Sequence, residues 1–165
     1  MPPTGRAITV FLAAAGLLYS ALGPITVTPA TVTFQSSDPD AGTVAGTPVT
    51  VTWRYTDGWH KSDWSIRVRA NSPTLANCGS IPASAIRVSC QLVTIQGGAP
   101  GTGSGVCSQP FQLGTVDQQI AGGLQRQHDA DYTVNIVFSF QDSWKYQGAI
   151  NPACALELTY TVFFQ

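Results

Sequence analysis

Residues 131–148 read DYTVNIVFSFQDSWKYQG. The first part sets Tyr132, Val134, Ile136, Phe138 and Phe140 on one side of an extended chain, against Thr133, Asn135, Val137 and Ser139 on the other. A period of two with one apolar face describes a half-buried antiparallel strand; a helix would return its apolar residues every three or four positions. The second part gathers Asp142, Trp144, Lys145 and Tyr146 in a chain that is only 10% charged. The same sequence of features occurs earlier. Val49, Val51, Trp53 and Tyr55 alternate with Thr50, Thr52 and Arg54, and YTDGWHK (55–61) then repeats the order aromatic, polar, Asp, small residue, Trp, basic residue. Both stretches read as a strand running into a hairpin tip.

Outward from these two, strand and turn signals alternate. WSIRVRA (64–70) sets Trp64, Ile66 and Val68 on one face, and AIRVSCQLV (85–93) sets Ile86, Val88, Cys90 and Leu92 on one face. CALELTYTVFFQ (154–165) does the same with Cys154, Leu156, Leu158, Tyr160, Val162 and Phe164. Residues 25–34 read as a first strand, and Pro24 and Pro29 suit a sheet edge. FQLGTV (111–116) reads as a short strand and GGAPGTGSG (97–105) as a loop without an apolar anchor. DQQIAGGLQRQHD (117–129) has some helical character, interrupted by Gly122 and Gly123. About seven strands punctuated by turns predict an all-β fold: an antiparallel, Greek-key, immunoglobulin-like β-sandwich, with a jelly roll as the alternative.

Composition agrees. Eighteen threonines stand against a single glutamate, Glu157, so β-branched residues are plentiful and helix formers few. The net charge of −1 comes from scattered residues, and no basic run exists to follow a phosphate backbone, so no nucleic-acid partner is expected. At the N-terminus, Arg6 precedes an apolar stretch from Ala7 to Leu22, and no acidic residue occurs before Asp38. This is the layout of an export signal over residues 1–23, with small residues for cleavage at Ala14–Gly16 or Ala21–Gly23. A single domain over 24–165 follows, with no membrane contact once the signal is removed. Retention of the segment as an anchor is the alternative, though a span needs ~20 apolar residues.

Cys78, Cys90, Cys107 and Cys154 all follow that segment. An even number of cysteines behind an export signal predicts two disulfides and a secreted, periplasmic or cell-surface location. Three connectivities are open; spacing favours Cys78–Cys90, closing a hairpin-like segment, with Cys107–Cys154 tying a long loop to the last strand. Zinc is the weaker reading, because no pair has CxxC spacing and neither histidine adjoins a cysteine.

The residues that carry chemistry are few. The chain has no GxSxG elbow, HExxH helix motif or phosphate-binding glycine loop, and Glu157 lies on the polar face of its strand. A non-enzymatic protein without a cofactor is expected. Asp38 with Asp40, and Asp129 with Asp131, form D-x-D pairs on loops that could hold Ca²⁺, although neither matches an EF-hand. Carbohydrate is the more substantial candidate ligand. If 49–56 is the second strand of the sandwich and 131–141 the sixth, the two tips share one end. Trp59, Trp144 and Tyr146 would then stack on sugar rings, with Asp57, Asp142, His60 and Lys145 bonding the hydroxyls. The plainer reading has each Trp fold over its own hairpin while the Asp caps the turn. Trp53 and Trp64, on apolar strand faces, are assigned to the core.

The alternating C-terminal segment, with aromatics near its last position, resembles that of chaperone–usher pilus subunits and spore-coat-U-like secreted domains, over about residues 131–165. That resemblance implies an exported immunoglobulin-like fold and, in the pilus case, assembly in which a neighbour's N-terminal strand is added at a sheet edge. Residues 25–34, with Ile25, Val27, Val32 and Phe34, would be the donor arm, although Pro29 and the phase break beside it interrupt the alternation. The cysteines do not bracket the early strands as a pilin's pair does. The resulting expectation is a structural or adhesive subunit of the cell surface or extracellular matrix, meeting copies of itself or other surface proteins through a sheet edge. A carbohydrate-binding module acting on polysaccharide is the alternative.

Overall fold

A computed structural model describes residues 7–14, 22–35, 40, 42–56, 63–97, 103–124, 129–146 and 153–164. The described residues are almost entirely β. The strands are β1 (Ala7–Ala14), β2 (Thr26–Thr28), β3 (Thr31–Gln35), β4 (Thr43–Ala45), β5 (Val49–Tyr55), β6 (Asp63–Ala70), β7 (Thr74–Leu75), β8 (Cys78–Pro82), β9 (Ile86–Gln96), β10 (Val106–Cys107), β11 (Phe111–Gln112), β12 (Gln118–Leu124), β13 (Ala130–Gln141) and β14 (Cys154–Phe164). A 3-10 turn at Ala83–Ala85 separates β8 from β9.

Two large sheets form the sandwich. One runs β10-β12-β6-β14-β1-β3, the other β11-β9-β13-β5-β2, and β7-β8 make a small third sheet. β4 also pairs with β13, at Ser139–Gln141, beyond the Ala130–Ile136 segment that β5 occupies. The order β9-β13-β5-β2 follows strands D-E-B-A of an immunoglobulin sandwich, and β6-β14 follows C-F. β1 stands beside β14 where strand G would lie. It runs parallel to β14, whereas its ladder with β3 is antiparallel.

The alternating faces anticipated from sequence line the core. Val49, Val51, Trp53, Ile66, Val68, Val134, Ile136, Phe138, Leu158 and Tyr160 are all buried. At one end, Trp53 stacks on Tyr132 with centroids 5.2 Å apart, and Trp64 meets the Tyr132 ring edge-on at 5.2 Å from the opposite sheet. At the other end, Phe34 and Phe140 meet across the sandwich at 6.0 Å. Offset and edge-on geometries such as these bring oppositely signed parts of the ring quadrupoles together.

Several expectations need correction. Leu92 is 53% exposed rather than inward-facing. The ladder pairs Ile136 with Cys90 but Asn135 with Leu92, so Gln91 is an extra residue. Such a bulge reverses the phase of everything beyond it, and Val93 and Ile95 pack on the core in place of Leu92. The segment with helical character is strand β12, whose Gly123 lies so close to the Ser104 backbone that a Cβ there would collide with it.

The disulfides are Cys78–Cys154 and Cys90–Cys107, each with a Cα–Cα distance of 5.3 Å, in place of the expected Cys78–Cys90 and Cys107–Cys154. The 3-10 turn sends β9 into a different sheet from β8, which separates Cys78 from Cys90. An Ala76–Ala155 bridge brings Cys78 beside Cys154 instead. Cys90 and Cys107 lie on strands of opposite sheets, so their bond crosses the sandwich. No described cysteine is free, and the bonds fit an oxidising compartment such as the extracellular space or periplasm. Among the described residues, no helix is long and apolar enough to cross a membrane.

Candidate functional site

The strands that lead into the two hairpin tips, β5 and β13, do not end on the same side of the sandwich. β13 is the fifth immunoglobulin position rather than the sixth, because β13 and β14 lie in different sheets, which an F–G hairpin does not permit. Tyr55, the last residue of β5, pairs with Ala130 at the start of β13, whereas Asp142 follows Gln141 at its far end. At ~3.3 Å per residue, the length of β13 separates the two positions by about 35 Å. Asp57, Trp59 and His60 lie outside the described residues, but the strands that carry their loop end on the side away from Trp144. Of the expected aromatic platform, the described residues therefore include only the Trp144 and Tyr146 side.

At the 142–146 tip, the aspartate half of the plainer reading describes the turn, whereas Trp144 is not folded over its hairpin. The Asp142 carboxylate, 8% exposed, accepts a 2.8 Å bond from the Ser143 N–H, and the Tyr146 N–H donates to the Ser143 carbonyl at 2.9 Å. Tyr146 is buried, with its ring 6.3 Å from Phe140, and so offers no face to a ligand. The Lys145 ammonium lies 5.7 Å from the Tyr146 ring centroid. Trp144 projects, 75% exposed, and its indole N–H donates to Asp40 at 3.3 Å.

The D-x-D pairs gain no ligand cluster. Asp38 lies outside the described residues, and Asp40 serves Trp144. Asp131 forms a 3.1 Å ion pair with Arg54, both side chains about half exposed. Among the described residues, no three His, Cys, Asp or Glu side chains are grouped to hold a metal. A shallow depression of about 300 Å³ between β6 and β12 is lined by Asp63, Trp64, Ser65, Arg67, Gln119, Gly123 and Leu124, at the end of β6 that follows the 55–61 stretch.

The arrangement that sequence reasoning missed is the strand position beside β14. On one side, β14 pairs with β6 from Leu158 to Phe164. On the other, it pairs with β1 from Cys154 to Tyr160, in a register that sets Val10 opposite Leu156 and Leu12 opposite Leu158. β1 also carries β3, setting Ile8 opposite Phe34 and Val10 opposite Val32. Leu156, Leu158, Tyr160, Val32 and Phe34, which border this position, are all buried. Burial drives the ionisation of the Tyr160 phenol well above the usual tyrosine range.

β1 falls within the segment expected to be an export signal. Its sequence, AITVFLAA, is apolar apart from Thr9, and such a run suits either a signal or a strand covered on both faces. The ambiguity concealed this strand position.

Comparison with known proteins assigns no family: no family model matches the chain, and no curated protein matches it.

Proposed function

We propose that the protein is an exported, non-enzymatic structural subunit of a surface or extracellular assembly, and that it joins that assembly by receiving a β-strand between β14 and β3. The observation that supports this is the identity of the strand beside β14. The segment with the composition of a removable signal supplies it, and runs parallel to its neighbour. Once that segment is cleaved, β14 from Cys154 to Tyr160 and β3 from Thr31 to Gln35 both lose their ladder partner. Two facing rows of unpaired N–H and C=O groups, above buried apolar side chains, form a template for strand addition. The two disulfides suit the compartment where such an assembly is built.

The test is to recover the exported chain from the surface of the cells that make it, without denaturant, and to examine it by size exclusion with light scattering and electron microscopy. The expected result is co-migration with a filament or layer of higher mass. Recovery solely as a free single chain would overturn the reading.

A glycan-binding role has one observation in its favour, the exposed indole of Trp144 beside Asp40 and Lys145. A glycan array read with the wild type and Trp144→Ala tests it: binding that disappears in the variant would support it, and an array with no binding would dismiss it.

A further inference from the structure

A subunit that both receives and donates a strand can polymerise with itself; one that only receives cannot. Under the pilus-like expectation, residues 25–34 would be the donor arm. They are instead built into both sheets. Leu22 bridges to Tyr55 and the Gly23 N–H bonds the Arg54 carbonyl at 2.8 Å, so the chain is already seated on β5 at that point. Thr26–Thr28 then pair with Thr50–Thr52 in the second sheet, and Thr31–Gln35 lie in the first. Val32 and Phe34, two of the expected plugs, are fully buried within the subunit. Pro29 and Ala30, where the alternation breaks phase, are where the chain passes from one sheet to the other.

Neither candidate cleavage leaves a spare arm. β1 pairs with β14 at seven positions, Ile8 through Ala14. A cut after Gly23 leaves nothing ahead of the seated segment, and a cut after Gly16 leaves only residues 17–21, too few to span the same ladder and also cross to a neighbour.

Building on the strand-receiving reading, we infer that the exported chain is one-ended on its N-terminal side: it accepts a strand beside β14, residues 17–34 have no arm to give, and the position is completed by a different polypeptide. The present occupant shows the chemistry of the guest, an extended arm of at least seven residues rich in Val, Ile, Leu and Phe and free of charge.

The experiment uses the full chain with a specific protease site inserted within residues 15–21. The folded, oxidised protein is cut there, unfolded in urea with its disulfides intact, and diluted into an excess of a fluorescent, lysine-tailed peptide carrying residues 7–14. The expected result is a single chain with one labelled peptide bound, and binding weaker by roughly tenfold or more when the peptide carries Val10→Asp and Leu12→Asp. Oligomers or filaments formed by the cut chain would overturn the one-ended inference while leaving strand reception intact. A single chain that takes up no peptide, or takes up the Asp-substituted peptide equally well, would overturn both.

Discussion

The two sheets obtain their central strands differently. In the second sheet, β13 lies between β9 and β5, both from the body of the chain. In the first, β14 has β6 on one side, and on the other a strand from a segment with the composition of a cleavable leader. The second sheet is complete within residues 22–164, whereas the first depends on residues 7–14. One sheet is built from the body of the chain, and the other takes one strand from residues 7–14.

The largest expected effect comes from removing the N-terminal segment that carries β1, expected from its composition to be a leader. β1 makes seven register pairs with β14 and five with β3. Counting a backbone bond at about half of these positions, at ~1 kcal/mol net each, gives about 6 kcal/mol, or a fall in Tm on the order of 20 °C. Differential scanning fluorimetry on the processed and full chains should show that fall, and its reversal by the 7–14 peptide. A processed chain as stable as the full one would break the contrast between the sheets.

Next are the disulfides. Cys78–Cys154 closes a separation of 76 residues and Cys90–Cys107 one of 17, worth about 4.5 and about 3 kcal/mol through restriction of the unfolded chain. Urea unfolding of the two paired Cys→Ser variants should rank them in that order. Equal losses would show that the bonds act chiefly in the folded state.

A pH titration sharpens the comparison further. Tyr132, in the second sheet, is pushed up to about 12, first by burial and then by repulsion from Tyr55. Tyr160, bordering the exchangeable position, is pushed up by burial. An unfolded tyrosine ionises near ~10, so the folded state holds its proton longer. The stabilisation this gives is fully present below pH ~10 and, for Tyr132, is lost as pH rises towards about 12. Followed by tyrosinate absorbance, removal of the leader should bring the Tyr160 transition down and leave that of Tyr132 in place. Tyr160→Phe and Tyr132→Phe assign the two transitions.

The smallest effect is at Arg54–Asp131, an exposed pair linking β5 to β13. Arg54→Ala should cost under about 1 kcal/mol by urea unfolding, and less at high salt. A larger loss would mean that the second sheet also relies on its surface.

Much of the fold was legible because burial on one face leaves a period of two. The patterns at 49–55, 64–70, 132–140 and 154–162 all became strands with the anticipated side inward. What the patterns could not carry was sheet membership. β13 and β14 alternate alike whether they pair with each other or face each other across the core, and that difference moved the 142–146 tip to the opposite end. Disulfide partners depend on the same non-local fact. The bulge at Gln91 left no local mark, since Leu92 is as apolar as the residues that replaced it. The site was the least legible part. AITVFLAA lacks the alternation that marked the other strands, and Tyr146 looks like a ligand platform until Phe140 is placed against it.

The passage of the chain from β2 to β3 has a mechanical consequence. β2 is fastened to β5, and the short Pro29–Ala30 link keeps β3 tethered to that anchor. Across the fold, the Cys90–Cys107 bond clamps the opposite margin. The molecule is thus joined covalently at both margins, and β1 lies between them. Under the proposed exchange, the jambs would stay in position, and an arriving strand would meet a doorway already cut to width and spend little entropy on shaping its own entrance.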